Sequence, residues 1–124
     1  MIRIAVAGAA GRMGSRITAL SKEYPELKLA GAFEKRGHSA IGKDIGTIAG
    51  IGEAGTKLSD SLESIIDNAD VIIDFTTPSS TKENLKIASQ KGKAIVIGTT
   101  GLSKDDMKEI EPLTKKVPCV MASN

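Results

Sequence analysis

Cysteine and histidine are almost missing from this sequence: each occurs once in 124 residues, as Cys119 and His38. One thiol cannot close an internal disulfide, and a lone thiol with a lone imidazole cannot build a Cys/His metal centre, so neither oxidative stapling nor structural zinc is expected. Aromatics are as scarce, with Tyr24, Phe33, Phe75 and no tryptophan. Recognition of bases or sugars by stacking needs several flat side chains and has almost none to work with. Neither sign of charge dominates: 17 Lys and Arg face 15 Asp and Glu, and a net charge of +2 is too weak a field to point to a nucleic acid or a membrane as partner. Long apolar runs are lacking too. The longest stretch without a charged side chain, Ala94 to Ser103, falls well short of the ~20 residues of a bilayer span, and no secretory h-region opens the chain. A cytoplasmic protein is expected.

What is present is an ordinary globular composition, 40% hydrophobic and 26% charged, in a length that suits one core. Glycine is abundant at 13, which points to tight turns or to backbone that approaches a ligand closely. Ile2 to Ala7 is a largely apolar, β-branched run closed by Gly8, as in a strand buried on both faces. Met13, Ile17 and Leu20 follow at i, i+4 and i+7, predicting a helix that ends near Tyr24-Pro25 with those side chains inward. Leu27 to Phe33, Val71 to Ile73, Ala94 to Ile97 and Val117 to Ala122 are further strands. Between them, helices are expected to open at Ser59-Asp60, at Pro78 and at Ser103. They carry Leu62, Ile65 and Ile66, then Leu85 and Ala88 as far as Gly92, then Met107, Ile110 and Leu113. Apolar strands alternating with helices call for a parallel sheet covered on both sides. The expected fold is α/β, a doubly wound parallel sheet of the Rossmann kind, in a single domain over residues 1–124. Glu34 to Gly55 lacks periodicity, and so long a connection is expected to be functional or mobile. Met13, Met107, Met121 and Cys119 are expected in the core, and His38 in solvent.

Sheets of this kind bind ligands beyond the carboxyl ends of their strands. Gly8-Ala9-Ala10-Gly11-Arg12-Met13-Gly14 leaves the first strand and runs straight into a helix. Its glycines permit a sharp turn and close backbone approach, and the N–H groups at the helix start favour an anion, so phosphate is the natural guest. Gly50-Ile51-Gly52-Glu53-Ala54-Gly55 matches the dinucleotide pattern G-x-G-x-x-G more literally, with Asp74 about 20 residues on. It follows no good strand and opens no helix, and is read as a flexible surface turn. Glu34, after the second strand, can accept the hydroxyls of an adenosine ribose, while Lys35 and Arg36 can pair with a 2′-phosphate; NADH and NADPH both stay open. Asp74-Phe75-Thr76-Thr77-Pro78 and Gly98-Thr99-Thr100-Gly101 leave two more strands at the same edge. Their small hydroxyl residues suit the amide and ribose of a nicotinamide, with Phe75 as an apolar wall. Asp74 itself is expected to cap the next helix. No side chain here is assigned a catalytic role, and no metal set can be assembled.

Taken together, Val6 to Gly14, Asp74-Phe75-Thr76, Val96 to Gly101 and Ala122-Ser123-Asn124 resemble the 4-hydroxy-tetrahydrodipicolinate reductase (dihydrodipicolinate reductase) family of lysine and diaminopimelate biosynthesis. The likeness runs in order through the whole chain. It implies an NAD(P)H-dependent oxidoreductase that transfers hydride to the dehydrated form of 4-hydroxy-tetrahydrodipicolinate. The resemblance places Gly8, Ala9, Ala10, Gly11, Arg12 and Met13 on the pyrophosphate, and Glu34 and Lys35 at the adenosine ribose. Phe75, Thr76, Gly98, Thr99, Thr100, Ala122 and Asn124 fall at the nicotinamide end. It also implies that the catalytic lysine, a basic substrate motif and the contacts of a homotetramer lie in a second domain beyond Asn124, and that returning chain completes the first domain. This chain is therefore expected to bind NADH or NADPH without turnover, to take the small-molecule substrate only with that domain, and to expose an apolar strip. A nucleotide- or CoA-binding Rossmann module with a sensing role shares the Gly8 loop, but has no use for paired loops after the central strands. A P-loop enzyme is excluded by the lack of a Gly-Lys-Ser/Thr run.

Overall fold

Parallel strands need a crossover connection, and helices between short, mostly apolar strands supply one. The computed structural model, which describes residues 1–122, contains β1 (Ile2–Ala7), β2 (Leu27–Phe33), β3 (Val71–Asp74), β4 (Ala94–Ile97) and β5 (Cys119–Met121). They form one parallel sheet in the order β2-β1-β3-β4-β5. The helices are α1 (Arg12–Ser21), α2 (Ile45–Ala49), α3 (Leu62–Ile65), α4 (Pro78–Lys91) and α5 (Lys104–Thr114). The chain winds outward from β1 to β2 and then returns to β3 on the other side of β1. That reversal splays the loops at the carboxyl ends of β1 and β3 and opens a crevice there.

The two faces of the sheet are covered unequally. On one, Leu62, Leu85, Ala88 and Ile110 from α3, α4 and α5 bury Ala5, Ala7, Ile72, Ile95 and Ile97. On the other, α1 and α2 gather around Ile4, Val6, Ala32 and Ile45, close to β1 and β2. Along one row across this second face, Val6 is fully buried, Ile73 and Val96 are half-buried, and Val120 is 60% exposed. An uncovered apolar strip is thus present, at the β5 side.

The ends of α4 and α5 follow their sequence signals, whereas α3 is capped by Ser61 rather than at Ser59-Asp60. Ser103 and Asp106 close a reciprocal capping box on α5, while α4 opens on Thr77 with Pro78 behind it and ends at Gly92, φ 68°. α1 departs from expectation. It stops at Ser21, and its buried face is Gly14, Thr18 and Ser21, whereas Met13 and Leu20 are about half exposed. The helix lies so close to the first loop that any Cβ at Gly14 would strike the Gly8 carbonyl and Ala9. The buried hydroxyls find partners on the helix itself, Thr18 donating to the Gly14 carbonyl at 3.0 Å and Ser21 to the Thr18 carbonyl at 2.7 Å. Met107 is exposed as well, while Met121 and Cys119 are half-buried against the larger core; burial pushes the Cys119 thiol up. Close approach, rather than side-chain size, decides which face points inward.

Residues 34–55 are not structureless. Asp44 caps α2, and its carboxylate accepts the N–H groups of Thr47, Ala54, Gly55 and Thr56 at 3.0, 2.9, 2.8 and 3.2 Å. These bonds, that of Ala54 foremost, hold the Asp44 carboxyl at about 2. The following chain lies along the open edge of β2: Ser59 donates to the Ala32 carbonyl and accepts from the Glu34 N–H, both at 2.9 Å. The edge is thereby protected from foreign strands.

Candidate functional site

A cleft of about 570 Å³ opens at the reversal of strand order, a size suited to a small molecule. Gly8 and Gly11 line it after β1, Glu34, Lys35 and Arg36 after β2, and Phe75 and Thr76 after β3. Gly8 adopts φ 66°, and its N–H and that of Ala9 both donate to the Phe33 carbonyl, at 3.0 and 3.2 Å. A Cβ there would sit 3.0 Å from the Thr76 methyl, so this glycine sets the gap between the β1 and β3 loops. Gly11 is the N-cap of α1 and offers no side chain to it; the other four helices are capped by Asp44, Ser61, Thr77 and Ser103 among the described residues. The start of α1, with the positive end of its dipole, is left for an external anion at the rim of the cleft.

Glu34 belongs to that loop as much as to β2. One carboxylate oxygen accepts the Ala10 N–H at 3.0 Å and the other its neighbour Lys35 N–H at 3.3 Å. Lys35 and Arg36 are exposed beside it. The opposite wall was not anticipated from the sequence. Ser80, Glu83, Asn84 and Ile87 form it along α4, joined by Asp60 and Ser61 at the start of α3. Their i, i+3, i+4, i+7 spacing is readable, but a mixed polar stripe of this kind resembles a solvated helix face.

Under the β3 loop lies a buried polar cluster. Asp74 is fully buried and does not cap α4, a role that Thr77 takes. One Asp74 oxygen accepts the Thr76 hydroxyl at 2.6 Å, and the other the Asn84 amide at 3.4 Å. The Thr99 hydroxyl accepts the Thr76 N–H at 3.1 Å and bonds the Thr81 hydroxyl at 2.6 Å. Gly98 is glycine because the Phe75 ring lies across it and would strike any Cβ.

The cleft therefore unites Gly8, Gly11, Glu34, Lys35, Phe75 and Thr76. Arg12 and Met13 are exposed at the start of α1, Ala10 gives its N–H to Glu34, and the Ala9 side chain is buried in the core. Gly98, Thr99, Thr100 and Ala122 follow β4 and β5 at the same edge without lining the cleft; Thr99 is buried, Thr100 is exposed, and Ala122 donates to the Ile97 carbonyl at 2.8 Å. Asn124 lies outside the described residues. The second glycine cluster is far off, where Ile51, Glu53 and Ala54 adjoin Met1 and Leu27 at the amino ends of the strands. His38 is exposed, its Nδ1 accepting the Ala40 N–H at 3.0 Å. Among the described residues no three His, Cys, Asp or Glu converge as metal ligands, and no helix is long and apolar enough to cross a membrane.

An open parallel sheet with a glycine-rich turn at its switch point and an acid after the adjoining strand defines a Rossmann-type domain. An amine dehydrogenase from Mycobacterium smegmatis shares the fold, with a TM-score of 0.76 at 21% identity over 99% of this chain and 39% of its own. The family described as dihydrodipicolinate reductase, N-terminus, matches residues 2–124, and the chain belongs to that family. Over its full length it is 49% identical to the 4-hydroxy-tetrahydrodipicolinate reductase of Desulfotalea psychrophila and 44% identical to that of Syntrophobacter fumaroxidans, covering 46% of each. A dipicolinate-bound dihydrodipicolinate reductase from Paenisporosarcina sp. TG-14 superposes with a TM-score of 0.71 at 27% identity, over 98% of this chain and 47% of its own. The chain thus spans about half the length of the curated relatives it matches.

Proposed function

We propose that this chain is the NAD(P)H-binding part of a 4-hydroxy-tetrahydrodipicolinate reductase. The observation that carries the reading is the uncapped start of α1, set beside an acid and two cations in a cleft at the switch point. A dinucleotide needs those features: donors for its pyrophosphate, an acceptor for its ribose hydroxyls and an apolar wall. Gly8, Ala9 and Ala10 shape the loop, since their N–H groups are already engaged; Gly11, whose N–H goes to the Gly8 carbonyl at 2.9 Å, keeps the approach clear of a side chain, and Arg12 and Met13 meet the pyrophosphate. Glu34 takes the adenosine ribose, and Lys35 with Arg36 makes room for a 2′-phosphate, so both NADH and NADPH are accepted. Phe75 and Thr76, with Gly98, Thr99, Thr100, Ala122 and Asn124 along the same edge, hold the nicotinamide end.

The bound nicotinamide would supply a hydride to the dehydrated form of 4-hydroxy-tetrahydrodipicolinate, within lysine and diaminopimelate biosynthesis in the cytoplasm. The contribution of these residues is to bind and orient. Residues 1–124 are a single cofactor domain; the groups that hold the substrate, and those that build a homotetramer, belong to the remainder of the whole protein.

Thermal denaturation of the purified chain with NADH and with NADPH tests this. Ligand at 100 times Kd adds about 2.7 kcal/mol to stability and should raise Tm by several degrees. No shift with either cofactor overturns the binding assignment. Steady consumption of NADH by the chain alone, given substrate, overturns the assignment of the substrate groups to the rest of the protein.

A further inference from the structure

The most buried carboxylate near the cleft is one that the proposed function leaves unused. Asp74 is fully buried at the end of β3, and Thr81 and Asn84 of α4 and Thr99 after β4 are also buried around it. A buried carboxylate is costly unless hydrogen-bonded, and this one spends its oxygens on the Thr76 hydroxyl and the Asn84 amide. Thr76 is held a second time, through its N–H, by Thr99, which in turn bonds Thr81. The network ties three elements: the β3 loop, the β4 loop and α4. Among the described residues it makes no hydrogen bond to Glu34 or to the Gly8–Met13 loop, which it meets only where the Thr76 methyl packs against Gly8.

We infer that Asp74 is a positioning residue for the nicotinamide end of the site: it fixes the Thr76 hydroxyl and N–H, and with them the spacing of the β3 and β4 loops, without acting on the adenosine half. The inference rests on the dinucleotide reading and deepens it. A site must be held to about 0.5 Å by the groups behind it, and here those groups are polar, buried and shared by the two loops that would face the nicotinamide. A purely architectural role is served more cheaply by an apolar residue, since a buried carboxyl group offsets its own desolvation only through these bonds.

The experiment compares NADH with ADP-ribose, which lacks the nicotinamide, in titrations of the 124-residue chain and its Asp74→Ala and Asp74→Asn variants. Asp74→Ala should weaken NADH roughly tenfold while ADP-ribose moves less than about twofold, because only one end of the site loosens. Asp74→Asn, which keeps an oxygen acceptor for Thr76, should restore NADH to within about threefold of the wild type. Should the alanine variant fail to fold, Thr81→Val carries the same test by removing the hydroxyl that holds Thr99, and through it the Thr76 N–H, from a residue that does not line the cleft. Equal weakening of both ligands, or of neither, overturns the inference. So does a wild type that binds ADP-ribose as tightly as NADH, although the dinucleotide reading then stands. A wild type that binds neither overturns the dinucleotide reading and the inference with it.

Discussion

Two glycine-rich loops in this molecule carry closely similar sequence patterns and came to opposite ends. The first, Gly8 to Gly14, follows β1 and opens onto α1, whose N-cap Gly11 supplies no side chain. The second, Gly50 to Gly55, folds back on α2, and there the carboxylate of Asp44 accepts four backbone N–H groups. Both loops present donors suited to an anion. In the second the protein provides that anion itself, Asp44 taking the N–H groups of Ala54 and Gly55; in the first, Glu34 takes the Ala10 N–H alone, and the start of α1 has no side-chain cap at the rim of a cleft. The match to the dinucleotide pattern is better in the second loop. What separates the two is whether a side chain caps the helix beside the loop: Asp44 caps α2, and no side chain caps α1.

The strongest test of the comparison removes the close approach that each loop depends on. A Cβ at Gly14 would strike the Gly8 carbonyl and Ala9, and a Cβ at Gly46 would strike the Gly52 carbonyl and Ala54, all of it backbone or short side chain with little freedom to move. Gly14→Ala and Gly46→Ala should each cost about 2–3 kcal/mol in chemical denaturation, and more if the backbone must shift. Only Gly14→Ala should also impair cofactor binding. Equal impairment of binding by Gly46→Ala would show that the two loops are not independent.

A milder pair separates binding from stability. Gly11 lies at φ −78°, which any residue can adopt, with a Cβ position 3.2 Å from the Gly8 carbonyl. Gly11→Val should therefore fold but lose on the order of tenfold or more in NADH affinity, because on the proposed reading its side chain would occupy the approach of the pyrophosphate. Gly52 sits at φ 85° in open space, so Gly52→Val should cost about 1–2 kcal/mol of stability through backbone strain and leave NADH affinity unchanged. The reverse ordering of the two affinities would place the site in the wrong loop.

The smallest effect is electrostatic and belongs to the second loop alone. The Asp44 carboxyl lies at about 2, depressed from its ordinary value of 3.8. A depressed acid contributes stability that is present above its unfolded value and is lost as pH falls through the folded one, here between about 4 and 2. Comparing wild type with Asp44→Asn isolates this group, since Asp70 and Asp106, also near 2, remain in both proteins. The stability gap between the two should be constant above pH 4 and close as the pH falls toward 2, by urea denaturation. A gap that does not narrow would mean that the ionised form is not what the loop requires.

Much of this was legible in the chain. Apolar runs closed by glycine or turn residues marked the strands, and Ser103, Pro78 and Gly92 marked helix ends, because caps and breakers act within a few residues of themselves. The contextual test on the two glycine clusters also rests on local order, strand before and helix after. Other features depended on distant neighbours. α2 is five residues long and too short for a period to show; it forms because Asp44 gathers donors from up to 12 residues away. α1 turned its small residues inward because Gly14 could fit against Gly8, while its larger Met13 and Leu20 stayed partly outside.

The sequence by itself determined the α/β order, the parallel sheet and which of the two glycine clusters leads from a strand into a helix, since periodicity and capping are properties of neighbouring residues. Only the tertiary structure decided what Asp74 does. Read locally, it precedes Thr76-Thr77-Pro78 and looks like a helix cap; in the fold it is fully buried, bonded to Thr76 on its own loop and to Asn84 on α4. The α4 wall of the cleft is of the same kind, a polar stripe whose meaning appears only when β2, β1 and β3 bring their loops to face it. Hydrogen-bond partners and walls are chosen by the packing of elements remote in sequence, and that choice is made by the sheet order rather than by any segment's own composition.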